Sequence, residues 1–382
     1  MQACKNKVNL PLQKALNSLS MILQRFSRSL RPALLLLAML LTLSAGAQQK
    51  YTAPALSQAD SWSMILVPDP QTYNKFSRNQ PLFELMTQWI AENIDFLKIK
   101  LVLCTGDLVE QNEFINPDGK VGNQPSKKQW EAAARAFGHL DAKVPYIAAT
   151  GNHDYGYSSA EVRITRYNEY FPVDKNFLTQ KMLREVTLNG QDIPTMENAV
   201  FEFTSPHGKK MLVLNLEFAP RDTVLAWATG VVNLPKYNDH FVIVLTHSYL
   251  NAQNEHIVTE GYKLKDRNYG AAIFEKLIKP SKNIRMVFGG HIGAPDNPKA
   301  HIAFRTDLNA AGKKVHQMVF NAQALGGGWF GNGGDGWLRI LEFTAANTVK
   351  VRTFSPLFAI SPITQQFAWR TEAHDQFEIL LD

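Results

Sequence analysis

Five times in this chain a short aliphatic run ends within a few residues of a side chain able to ligate a metal. No other feature of the sequence constrains the fold as much. The segments are VPDPQ with Asp69 and Gln71, CTGDLVE with Asp107, ATGNHD with Asn152, His153 and Asp154, LTHS with His247, and FGGHIG with His291 and Gly293. Sheets built with helices between their strands present ligands outside the carboxyl ends of those strands. A chain that repeats this pattern from residue 67 to residue 293 is therefore expected to be α/β, with one site assembled from distant segments.

The intervening sequence fits that expectation. Strands are predicted at 63–67, 101–104, 146–149, 200–203, 211–216, 241–245, 285–288, 315–320, 338–343 and 349–354. Leu82, Leu85, Met86, Trp89, Ile90, Ile94 and Leu97 recur at helical spacing behind Pro81, predicting a helix over 81–98, and a second is predicted over 129–140. Residues 111–127 read as a surface loop. Residues 155–197, aromatic and polar without clear periodicity, read as irregular structure over the active face. The glycine-rich tract 326–336 lies between two predicted strands and reads as structured rather than as a linker. Asp222 reads as the N-cap of a helix beginning near Thr223, and Glu110 as a helix-start residue.

In order and spacing the five segments resemble the calcineurin-like metallophosphoesterases, whose pattern is D-x-H, G-D-x-x, G-N-H-[DE], a lone His, and G-H-x-H. The tail, from His316-Gln317 through the glycine tract, resembles an exported bacterial subgroup with D-x-Q and G-H-x-G variants of the first and last motifs. The resemblance implies a four-layer α-β-β-α sandwich and two divalent metal ions, with Mn, Fe, Zn and Mg as candidates. It assigns Asp69, Gln71 and Asp107 to the first ion and Asp107, Asn152, His247 and His291 to the second, with Asp107 as the bridge. Paired cations polarise phosphoryl oxygens and lower the pKa of water, so the chain needs no nucleophile of its own. His153 is implied as the acid for the leaving group, its ring held by Asp154. Gln71 and Gly293 stand where the family pattern has histidines, which weakens the first site, and Asp296 or His301 could fold back to fill the vacancy. Arg221 is a candidate fork for a substrate phosphate, or else one half of a surface ion pair.

Taken singly, Asp69 before Pro70 could be a turn residue, Asn152 a turn residue in the left-handed region, and His247 a packed core histidine. Turn chemistry gives no reason for all of them to follow the family order. His139, His207, His240, His256 and His374 match no motif and read as ordinary structural histidines, and Cys104 as buried packing.

The first 47 residues read as a signal peptide: residues 1–31 carry only positive charge, 34–43 are apolar, and Ala45-Gly46-Ala47 offers a small-residue cleavage site before Gln48. The apolar run is shorter than the roughly 18 residues that span a bilayer. A start at Met21 would give this leader ordinary proportions. Discarding Lys5, Lys7, Lys14, Arg25, Arg28 and Arg31 from the 40 basic residues leaves 34, equal to the 34 acidic ones, so the mature charge offers no basic footprint for nucleic acid. Cys4 leaves with the leader and Cys104 remains alone, which excludes an intrachain disulfide. Residues 48–382 are expected to form a single domain, exported to the periplasm or beyond, acting on a phosphate ester. The rival expectation is a non-catalytic binding module that kept the fold with a degraded metal site.

Overall fold

The structure, a computed structural model, describes residues 51–117, 119 and 121–381. The expected leader, with its apolar run, Cys4 and both candidate start methionines, lies outside the described residues. Among the described residues no helix is long and apolar enough to cross a membrane.

Three short apolar runs, β1 (Trp62–Val67), β2 (Ile99–Cys104) and β3 (Tyr146–Ala148), pair in parallel in that order. Parallel neighbours need long crossovers, and helices α1 (Gln80–Glu92) and α2 (Ser126–Gly138) supply them. The sheet continues antiparallel from β1 to β11 (Leu338–Phe343) and β12 (Thr348–Phe354), which pairs with β13 (Trp369–Arg370) and β14 (Gln376–Leu380). The second sheet runs β4 (Leu183–Leu188), β5 (Pro194–Thr204), β6 (Lys210–Asn215), β7 (Phe241–Leu245), β8 (Ile284–Gly289), β10 (Lys314–Phe320), β9 (Ile302–Leu308). From β6 through β10 its neighbours are parallel.

The central strands are apolar at consecutive positions because both faces are covered. Met211, Val213, Phe241, Ile243 and Leu245 enter the core shared with the first sheet. Their neighbours Leu212, Leu214, Val242 and Val244 pack with Val224, Leu225 and Ala228 of helix α3 (Asp222–Val232) and with Ile273 and Leu277 of the helical segment that follows Tyr269. On the other side Phe83, Met86 and Ile90 of α1 and Trp130, Ala133 and Phe137 of α2 cover the first sheet. The layers are therefore helix, sheet, sheet, helix. Full burial of one such aliphatic side chain stabilises by about 1.5–3 kcal/mol, so truncating Ile243 or Met86 to Ala should cost about 2–5 kcal/mol.

Every predicted strand is present, with ends shifted by a few residues. Helix α1 stops at Glu92 rather than 98, because the chain turns back on itself: the amide of Ile99 bonds the carbonyl of Ile94 and Lys98 sits at φ +45°. Region 155–197 is not irregular throughout. It holds the helices Tyr167–Tyr170 and Phe177–Met182, strand β4 and the start of β5. Asp222 is the first helical residue rather than a cap; the cap position falls on Arg221, whose side chain makes no bond to the first-turn amides. The Asp222 carboxylate instead accepts from Lys276 Nζ (2.6 Å) and Asn268 Nδ2 (3.0 Å).

Candidate metal centre

Asp69 and Gln71 follow β1, Asp107 follows β2, Asn152 and His153 follow β3, His247 follows β7 and His291 follows β8, so every predicted ligand, and the predicted acid His153 with them, lies beyond the carboxyl end of a parallel strand. The two sheets bring them together. Asp107 Oδ2 lies 3.1 Å from His247 Nε2, and Asn152 Oδ1 lies 3.2 Å from His247 Nε2 and 2.9 Å from His291 Nδ1. Asp107, His247 and His291 each direct one ligating atom to a common point.

The backs of these groups settle what their fronts can do. His247 Nδ1 is 2.7 Å from the carbonyl oxygen of Thr105, an acceptor only, so Nδ1 holds a ring hydrogen and Nε2 is the nitrogen turned to the site, able to ligate once its own proton is displaced. His291 Nε2 is 2.6 Å from Glu260 Oε1, which fixes its tautomer in the same way and leaves the lone pair of Nδ1 pointing inward. Asn152 Nδ2 donates to Ser159 Oγ at 3.0 Å, so its carbonyl oxygen faces the same point. With Asp107 Oδ2, four ligand atoms converge, and the hydrogens among them, from Gln71 Nε2 and the protonated His247 Nε2, both point at Asp107 Oδ2, where a cation would replace the imidazole proton. Such a set is satisfied by a cation, and its N/O composition suits a divalent transition metal. Phe218 packs its ring 5.9 Å from that of His247 and 6.2 Å from that of His291, centroid to centroid, an apolar wall behind both imidazoles.

Two glycines make the approach possible. A Cβ on Gly151 would sit 2.1 Å from Asp107 Oδ1, and one on Gly290 would sit 2.1 Å from Asp69 Oδ1. Asp107 (φ +49°) and His291 (φ +77°) hold left-handed conformations that their side chains disfavour, the kind of strain that clusters at functional sites.

The side of the site around Asp69 is built differently. Asp69 Oδ1 accepts from Thr105 Oγ1 (2.6 Å), and its Oδ2 accepts from Asn321 Nδ2 (2.7 Å) and the His291 amide (2.8 Å). Gln71 donates from Nε2 to Asp107 Oδ2 at 3.1 Å, while its Oε1 is buried without a partner. An amide turned end for end would offer that oxygen beside Asp107, so the donors also fit a cation here, with an all-oxygen shell. Gly293 contributes nothing to it. The vacancy is filled by the His301 ring, whose Cε1 would lie 2.5 Å from a Cβ at 293. His301 Nε2 bonds the Ala294 carbonyl at 2.9 Å, and burial depresses its pKa to about 4.

The charges reinforce one another. Burial works against the His247 imidazolium, but Asp107 and Asp69 outweigh it and hold its pKa up to about 10. Burial also works against the Asp107 carboxylate, yet the imidazoles of His247 and His153 hold its pKa below the usual carboxylate range. Burial raises Asp69, and Asp107 adds to the rise. The pocket thus favours positive charge in the midst of two carboxylates.

Asp154 does not hold the ring of His153, contrary to expectation. Its carboxylate accepts the amides of Leu108 (3.1 Å), Val109 (3.0 Å) and Gly151 (2.8 Å), clamping the β2 and β3 loops together. The His153 ring is held instead by the carbonyl of Glu110, 2.6 Å from Nδ1. Glu110 starts no helix. Its carboxylate pairs with buried Lys75 at 3.0 Å. Arg221 lies outside this cleft: its Nε is 2.8 Å from Glu217 Oε1 and its Nη2 donates to the Leu188 carbonyl at 2.6 Å, the ion-pair alternative. The unmatched histidines have ordinary partners, such as His207 with the Asp60 carbonyl (2.8 Å) and His240 with Glu202 (2.9 Å). Sequence reasoning missed Glu260, Asn321 and Lys75. Asn321 directly follows β10, so the strand-end rule that located His291 also points to it.

The family match agrees with the geometry. Residues 67–295 match the calcineurin-like phosphoesterase family, a span that contains all five motifs. The Bacillus subtilis protein YvnB, whose function is uncharacterized, is 29% identical over 307 residues; the match covers 78% of this chain but only 20% of YvnB, so the chain spans about a fifth of that relative's length. Among solved structures, a purple acid phosphatase from yellow lupin (Lupinus luteus) seeds is 13% identical, with a TM-score of 0.46 over 86% of this chain and 55% of that one. A dimetal phosphatase from Danio rerio is 10% identical, with a TM-score of 0.46 over 84% of this chain and 99% of that one. The family match spans more than half of the sequence: the chain belongs to the calcineurin-like phosphoesterase family.

Proposed function

We propose that this chain is an exported enzyme that hydrolyses a phosphate monoester or diester, a phosphoprotein being one candidate, with two divalent ions bridged by Asp107. The observation that carries the reading is the convergence of Asp107 Oδ2, Asn152 Oδ1, His247 Nε2 and His291 Nδ1 with their opposite sides already bonded. These four would hold one ion, and Asp69, Gln71 and Asp107 the other, weaker one. Ions bound there supply Lewis-acid polarisation of the phosphoryl group and acidify water.

The remaining chemistry belongs to the chain. His153 lines the cleft with Nδ1 committed to the Glu110 carbonyl, which leaves Nε2 for the substrate. Burial opposes its charged form, but Asp107 and Glu110 outweigh burial and raise its pKa. The protonated ring can give its proton to a departing alkoxide, a contribution of about 10²- to 10⁴-fold. Glu260 fixes His291, and Asp154 fixes the loops that bear Asp107 and Asn152.

Export is supported by the leader pattern of residues 1–47, and recovery of a chain beginning at Gln48 from the periplasm or medium tests it. The neutral mature charge gives nucleic acid no help as a partner. The reading is tested with a panel of phosphomonoesters, diesters, nucleotides and phosphopeptides assayed with added Mn²⁺. Turnover of at least one class is expected; no turnover of any class overturns it. In that event the binding-module reading, which has Gly293 against His301 on its side, would stand.

A further inference from the structure

The cleft above the ligands, about 430 Å³, takes one wall from the glycine tract. That tract leaves β10 at Asn321 and returns to β11, and it is tied down at several points. Arg78 Nη2 donates to the Phe330 carbonyl (2.6 Å), Asn79 Nδ2 to the Gly331 carbonyl (2.8 Å), the Gly327 amide to Asp296 Oδ1 (3.0 Å), and the Gly336 amide to Tyr73 Oη (2.8 Å). Inside the tract Asn332 Oδ1 accepts the amides of Gly334 (3.1 Å) and Asp335 (2.9 Å). Gly326, Gly327 and Gly328 run consecutively at φ +71°, +105° and +71°, a path closed to residues with a Cβ. A loop fixed this thoroughly nevertheless leaves Phe330 58% exposed and Trp329 half-buried, both lining the cleft. A pre-organised loop that holds large apolar rings toward solvent loses little entropy when something covers them.

Charge narrows what that something is. Lys75 is the single Lys or Arg among the described residues of the cleft lining, and its ammonium, buried, is neutralised by Glu110 at 3.0 Å. Beyond the metal ligands and His153, which is engaged at the leaving group, the described residues of the lining thus offer no uncompensated cation for a second phosphate or a carboxylate. What it offers is aromatic surface.

We propose that Trp329 and Phe330 set specificity, selecting phosphate esters whose alcohol part bears a planar, uncharged ring that stacks on them. This rests on the hydrolase reading above and names its substrate class. Ring stacking of this kind should favour an aromatic ester by roughly tenfold.

The test compares 2-phenylethyl phosphate with ethyl phosphate, two primary alkyl esters of similar leaving-group basicity, in the Mn²⁺-supplemented full chain. The wild type should favour the phenylethyl ester by roughly tenfold in kcat/KM. Phe330→Ala and Trp329→Ala should bring the ratio toward one, and Phe330→Tyr should keep it. A wild-type ratio near one, or a ratio untouched by both alanine variants, overturns the proposal. Calorimetric binding of 2-phenylethylphosphonate against ethylphosphonate separates it from the catalytic reading. A phenyl preference lost in Phe330→Ala, without turnover of either ester, keeps the aromatic wall and sinks hydrolysis; equal binding of the two phosphonates sinks the wall. Phe330 is exposed, so its variants should melt within a few degrees of the wild type.

Discussion

The two halves of the centre share Asp107 and little else. Around Asn152, His247 and His291 each donor has its far side bonded, to Ser159, the Thr105 carbonyl and Glu260 respectively, so the near side is fixed in both position and tautomer. Around Asp69 and Gln71 the donors are all oxygen, the Gln71 oxygen has no partner, and the position that would add an imidazole is a glycine filled from behind by His301. Affinity in such a centre depends on whether the ligands are pre-organised as much as on how many there are. The imidazole half should hold its ion tightly, and the oxygen half should exchange it.

The largest effect should come from the one residue both halves use. Asp107→Asn should lower kcat/KM by more than about 10³-fold and release metal from both halves, since a neutral amide bridges two cations poorly. Full activity with unchanged metal content in elemental analysis would break the comparison at its centre. Next, His153→Ala should slow esters of basic alcohols by about 10²- to 10⁴-fold while sparing nitrophenyl esters, with metal content unchanged. An equal loss on both kinds of ester would place His153 among the positioning residues. Exhaustive dialysis sharpens the contrast directly. One equivalent of metal retained per chain, with activity restored by Mn²⁺, is expected; two retained would erase the difference between the halves. In the same assay Glu260→Gln should weaken the retained ion by about 10- to 100-fold and leave the exchangeable one alone.

The smallest effects concern the oxygen half. A histidine at Gly293 will not restore the missing ligand, because even its Cβ would press on the His301 ring at 2.5 Å. Gly293→Ala should already destabilise by about 1–3 kcal/mol in denaturant titration, without raising metal retention. His301 itself should mark the pH curve. Burial depresses its folded pKa to about 4, below its unfolded value near 6.5. Above pH 6.5 the ring is neutral in both states. As pH falls from 6.5 to about 4, only the unfolded chain takes up the proton, so stability falls by up to about 1.4 kcal/mol per unit. His301→Gln should flatten that window; an unchanged slope would place the ring in a more solvated setting.

The imidazole half could be read in advance because its ligands follow strongly apolar strands in a recognisable order. The same reasoning failed wherever the structure depends on partners rather than on local pattern. β4, with Arg184 and Glu185 exposed, and β14, with Gln376 and Glu378 outward, are edge strands in half-buried surroundings, and pairing alone defines them. The exchange of roles between Asp154 and the Glu110 carbonyl was equally hidden. Both are buried acceptors near His153, and only their orientation decides which one holds its ring. Glu260 comes from a stretch with no periodicity, 31 residues before the histidine it orients.

The bonds of Asp69 have a further meaning for how activity relates to the state of the chain. Its carboxylate meets the His291 amide across 222 residues of sequence and Asn321 across 252. A centre with such high contact order cannot form in any partly folded intermediate that lacks either sheet. Hydrolysis, once measured, therefore counts fully assembled molecules: a variant with low specific activity but a normal KM is first to be read as a smaller native fraction, and only then as slower chemistry.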